Sequence, residues 1–138
     1  MTTLEAIQHL CRQVDGYSFY FDDRQLMNVN ADNATFPLIF FEEYREGTYR
    51  AKHYFEKSTR VELYFCKLCQ MHNDGTERER LREEIEAEAV RPFIKLFNQH
   101  PEIFTPVTDW RFYTPPPRFD ANEVSIMLQL NATLTQCL

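Results

Sequence analysis

The sequence predicts an α+β fold in which one antiparallel or mixed sheet of about five or six strands carries a long helix across it and a short helix at its N-terminus. Three observations lead there. The chain opens on a capped stretch with apolar residues at helical spacing. Aromatic and aliphatic residues then alternate in short runs up to residue 68. A long charged segment with a helical apolar stripe precedes a final alternating run. With 138 residues, 43% hydrophobic and 14% aromatic, the chain can fill one sizeable core and is short for two, so one domain over 1–138 is expected.

The first helix follows from its caps. Thr2 and Glu5 fit a capping box, Leu4, Ile7, Cys11 and Val14 share a face, and Gly16 offers a left-handed stop. Tyr17, Phe19 and Phe21 then alternate with Ser18 and Tyr20 as a strand does. Asn28, Asn30, Asp32 and Asn33 mark Asp22 to Thr35 as an exposed loop, long enough to suggest an interaction role. Phe36 to Phe41 is almost continuously apolar, as expected of a strand covered on both faces, with Pro37 near its start. Glu46-Gly47 punctuates the next connection. Tyr49, Ala51, His53 and Phe55 are expected on one face and Arg50, Lys52, Tyr54 and Glu56 on the other. A further strand follows Lys57-Ser58 through Val61, Leu63 and Phe65, the whole forming an antiparallel meander.

The second helix is expected from Glu77 to Asn98. Thr76 and Glu79 suit a capping box, and Leu81, Ile85, Ala89, Phe93, Leu96 and Phe97 form its buried stripe. Pro92 lies inside this pattern and predicts a kink or a change of helical segment. Arg78, Arg80, Glu83, Glu84 and Glu88 read as its solvated face, with a subunit interface as the functional alternative. Val107 to Tyr113 and Val124 to Leu134 supply the last strands, joined by the stiff spacer Pro115-Pro116-Pro117.

Composition narrows function by exclusion. The formal net charge of -6 opposes general nucleic-acid binding, and no apolar run approaches the roughly 20 residues that span a bilayer, so neither nucleic-acid specificity nor a membrane partner is expected. No secretory leader is read at the N-terminus, and Cys11, Cys66, Cys69 and Cys137 are expected as reduced thiols in a cytoplasm. With three glycines in the chain, phosphate-cradling loops have no place.

Four constellations could carry chemistry. Cys66, Cys69 and His72 have C-x2-C-x2-H spacing, which suits zinc, yet a closed site needs a fourth ligand from His53, Cys11 or Cys137. An odd separation also sends Cys66 and Cys69 to opposite faces of a strand, so buried apolar thiols are the favoured reading. The pairs Asp22-Asp23 and Glu42-Glu43 read as solvated or strand-end charges. The aromatic and basic run Tyr44, Arg45, Tyr49, Arg50, Lys52, His53 and Tyr54 could stack bases, but Glu42, Glu43, Glu46 and Glu56 nearly cancel its charge. The proline run could be a polyproline partner motif, although a spacer explains it. No catalytic residue, cofactor or metal ligand is assigned from the residues alone.

The order of elements, with the Phe36-Pro37-Leu38 strand start, the Phe93 to Phe97 helix end and the Val124 to Leu134 strand, resembles the tail-terminator and related minor tail proteins of long-tailed bacteriophages. The resemblance spans nearly the whole chain. It implies a non-catalytic structural protein that forms a homo-oligomeric ring and meets tail-tube and neck proteins. The implied location is the bacterial host cytoplasm during assembly and then the virion tail. That family has no catalytic motif, so no site residue is carried over; the Cys66 to His72 cluster and the proline run depart from its pattern. The alternatives are a small cytoplasmic α+β ligand-binding or enzymatic domain, and a zinc-stabilised interaction module using Cys66, Cys69 and His72.

Overall fold

The computed structural model describes residues 1–22, 34–51, 53, 55–70, 74–116 and 122–134. The expected loop between Asp22 and Thr35 falls mostly on 23–33, outside the described residues, as do Lys52, Tyr54, His72, Pro117 and Cys137.

Helix α1 (Thr3–Cys11) begins as its cap requires, with the Glu5 backbone N–H donating to Thr2 Oγ1 at 3.1 Å. Gly16 takes a positive φ of 79°, the left-handed turn into strand β1 (Ser18–Asp22). Strand β2 (Leu38–Glu42) is buried throughout and runs parallel to β1, with Ser18 beside Leu38 and Asp22 beside Glu42. The sheet is thus mixed, one of the two forms expected, and the connection from Asp22 to Leu38 is long enough to return the chain in the same direction. The meander expected from Phe36 onward is corrected, because β2 and β3 both pair with β4 and not with each other.

The 14-residue strand β4 (Phe55–Leu68) is the axis of the sheet. Along one edge it pairs with β2 (Leu38 with Cys66 through Phe41 with Leu63) and then with β3 (Glu46–Ala51; Glu46 with Arg60 through Ala51 with Phe55). Between these runs four residues, 42–45, face two, 61 and 62, so the chain bulges. The β3–β4 pairing continues up to Ala51 opposite Phe55. The expected breaks at Glu46-Gly47 and Lys57-Ser58 are both inside strands. A Cβ on Gly47 would collide with the Ser58 carbonyl oxygen, so glycine here serves close strand approach rather than a turn.

Along its other edge β4 pairs antiparallel with β6 (Glu123–Thr133), and β5 (Arg111–Tyr113) closes that side, giving the order β1-β2-β4-β6-β5 with β3 beside β4. The strand expected over Val107 to Tyr113 is confined to its last three residues. Before it, Asn98 exchanges two 2.9 Å bonds with the Val107 backbone, and Trp110 Nε1 donates to Val107 O.

The long helix runs for 24 residues as α2 (Gly75–Ile85), a π-helical turn (Glu86–Val90) and α3 (Arg91–Asn98). Its cap is Asp74, whose Oδ1 accepts the Glu77 N–H at 2.9 Å; this corrects the capping box read at Thr76. The change of segment expected at Pro92 takes a definite form. The Arg91 N–H donates to Glu86 O, five residues back, and this widened turn makes room for a ring that would otherwise press on the preceding turn. Ile85, Ala89, Phe93 and Phe97 are fully buried as the stripe predicted, with Leu81 and Leu96 partly so.

The sheet's two faces follow from strand alternation. Ile39, Phe41, Val61, Leu63, Phe65, Ile126 and Leu128 pack under the helices, where Phe65 meets Phe93 edge-on and Phe97 stacks on Phe104 at 4.7 Å. Leu38, Phe40, Tyr64, Cys66 and Met127 form a second buried cluster on the opposite face. Replacing Asp74 by Ala is expected to lower stability by about 1 kcal/mol in urea unfolding, and Thr76→Ala by less than about half of that. Equal losses would contradict the cap.

Candidate functional site

The thiols are placed apart. Cys66 is fully buried in the second-face cluster, whereas Cys69 packs toward the helix-side core, so they do not converge as the spacing alone allowed. Cys11 is buried at the end of α1, and desolvation pushes the thiols of Cys11 and Cys66 far above the usual range, which favours their protonated form. Among the described residues, no group of three or more His, Cys, Asp or Glu side chains is placed to hold a metal ion. His72, the third member of the spacing, lies outside them.

Shifted proton affinities gather instead at Lys67. Its Nζ reaches Glu84 Oε2 at 3.2 Å and Glu88 Oε2 at 2.9 Å, and the Tyr17 hydroxyl donates to Glu88 Oε2 at 3.0 Å. Burial favours the neutral amine of Lys67, but hydrogen bonds to Glu88 and Glu84 outweigh it and the pKa is raised. The bond from Lys67 holds Glu88 below the carboxylate range, and burial followed by the bond to Glu88 raises Tyr17. Glu88 sits in the π-helical turn, so that turn delivers the carboxylate joining helix, β4 and the approach to β1. Every group in this cluster is engaged with another, as in a tether between layers. Sequence spacing could not reveal it, since its members come from three elements.

The carboxylate pairs are split by strand alternation. Glu42 is buried on the second face and Glu43 exposed, while Asp23 lies outside the described residues. Register places Asp22 beside Glu42, Glu62 beside Gln129, and Gln129 beside Arg111, forming a polar border to the second cluster. Gln129 Nε2 donates to Glu62 Oε1 at 3.2 Å, and Arg60 lies 3.9 Å from the same oxygen. Shallow clefts on either side of Arg60 are lined mainly by charged and polar groups, among them Glu46, Asp109, Arg111 and Asn131.

The remaining feature is a pair of strand edges. All six residues of β3 are exposed, as are the three of β5, and the two strands lie on opposite sides of the β4–β6 pair. Six large apolar side chains are exposed among the described residues. Four of them flank these edges: Tyr44 (72%), Tyr49 (71%), Phe112 (68%) and Tyr113 (44%). The bulge before β3 is pinned by Arg45, whose guanidinium lies 5.1 Å from the Phe41 ring and 5.6 Å from that of Phe21. This commits Arg45 to the core rings and removes it from the basic run considered for nucleic-acid stacking. Tyr44 is turned outward with its hydroxyl on Glu46 Oε1, and Tyr49 leans on Phe55 at 5.4 Å. On the other side Trp110 is wedged edge-on against Phe93 and Phe97, which anchors the chain just before Phe112 and Tyr113 leave the surface. The aromatic run at Tyr44 and Tyr49 was visible in the sequence. The exposure of Phe112 and Tyr113 was not, because alternation assigns a face without saying whether a layer covers it.

No protein-family model matches the chain, and no curated protein matches it either.

The Lys67 tether has a definite pH signature. With its folded pKa depressed, Glu88 contributes stability above the ordinary carboxylate pKa and loses it as pH falls; Lys67, with its pKa raised, loses its contribution only at alkaline pH. Glu88 is 46% exposed, so screening limits the cost of Glu88→Gln near neutral pH to at most about 1 kcal/mol. That deficit is expected to hold from neutral pH down to about pH 5 and to shrink as pH falls further through the depressed pKa of Glu88, measured by thermal unfolding. A pH-independent deficit would contradict the tether.

Proposed function

We propose that the protein is a structural subunit that self-assembles into a closed ring, and that this ring terminates the tail tube of a long-tailed phage or prophage and meets its neck. The observation that carries the first part is the pair of exposed, aromatic strand edges on opposite sides of the sheet. Such edges are open templates for pairing with another chain, and one subunit presenting two different edges joins its neighbours head to tail. The α+β arrangement, with six strands and a 24-residue helix, agrees with the architecture that the tail-terminator resemblance implies, and that resemblance supports the second part. The engagement of Lys67, Glu84, Glu88 and Tyr17 in a tether supports a structural role over a catalytic one.

Light scattering across a concentration series is expected to show mass rising to a plateau at a fixed multiple of the chain mass. The tail role is tested by adding the protein to polymerising tail tubes, which should stop elongating. A chain that stays monomeric throughout, or tubes that elongate regardless, would contradict the respective part.

A further inference from the structure

Resting on the reading of a self-assembling subunit, we propose that the β3 edge of one copy pairs antiparallel with the β5 edge of the next, so that each neighbour adds its sheet to the last.

Three properties of the edges point to a second copy of this chain as the occupant. First, all six residues of β3 are exposed although the strand is paired along β4. Tyr49 leans on Phe55 and still stays 71% exposed, so most of its apolar surface is open to a neighbour. Second, four aromatic side chains, each worth roughly 150–250 Å² when fully exposed and here about two-thirds open on average, supply on the order of a third of a standard interface of ~1,600 Å².

Third, the edges escape the repulsion expected between copies of a chain with net charge -6. Glu43 and Glu46 are balanced by Arg45 and Arg50 on the β3 side, and Asp109 by Arg111 on the β5 side. The signs also interlock. An antiparallel register with Tyr113 opposite Glu46 and Arg111 opposite Thr48 lays all of β5 on β3, sets Arg50 opposite Asp109 and leaves Glu46 on the diagonal from Arg111, within reach of a long side chain. A two-fold pairing of β3 with itself would leave Phe112 and Tyr113 uncovered.

The test uses the full-length chain with one edge blocked at a time. Tyr44→Lys with Tyr49→Lys blocks the β3 side, and Phe112→Lys with Tyr113→Lys blocks the β5 side; lysine is a natural guard of strand edges, and these exposed positions leave the core intact. By analytical ultracentrifugation each variant is expected to be monomeric with a wild-type circular dichroism spectrum. An equimolar mixture should form a species of two chains, since one competent interface remains. Glu46→Arg and Arg111→Glu should each weaken assembly, and their combination in one chain should restore it.

Assembly of either blocked variant at the wild-type level, or a mixture that stays monomeric, would overturn the pairing while leaving self-assembly standing. A wild-type chain that never assembles would overturn both.

Discussion

The β4–β6 pairing is the contact on which everything else in the molecule is arranged. It runs in unbroken register from Ser58 with Thr133 to Leu68 with Glu123, and it sets which side chains face the helices and which face away. Because β4 is longer than any partner on its other side, β2 and β3 must share that edge in tandem. The bulge at 42–45 is the consequence, and it is stabilised by the Arg45 guanidinium over the rings of Phe21 and Phe41. Beyond the bulge the sheet outruns its helical cover, which leaves β3 bare. Order within the core and exposure at the edge therefore have one origin.

The helix answers the same geometry from above. Its stripe of Ile85, Ala89, Phe93 and Phe97 spans the β4–β6 surface, and the π-helical turn before Pro92 keeps that stripe continuous despite the missing donor. The turn also carries Glu88 to Lys67, so a feature imposed by a proline helps fasten helix to sheet. Layer packing thus rests on apolar contact for its strength and on a charged tether for its alignment.

Much of this was legible in the residues. Thr2, Gly16, the helical stripe and the alternation of Val124 to Leu134 each state a local preference that the tertiary structure keeps. Elsewhere a longer-range contact decided. Asp74 caps the helix because it stands one position outside its first residue, while Thr76 is already within it. Gly47 resembles a turn residue but serves close approach between strands, and β1 lies parallel to β2 because chain direction is set by the connection rather than by the strand. The edge character of Phe112 and Tyr113 depends on where the helix layer stops. The opposite placement of Cys66 and Cys69 was foreseeable from parity alone.

The proposed pairing makes β3 and β5 the strands that another copy covers. Amide hydrogen exchange measured across a concentration series tests it most directly. Protection of residues 46–51 and 111–113 should rise together with the assembled mass, while β6 stays protected throughout. Exchange at those two edges that is independent of concentration while the mass increases would contradict it.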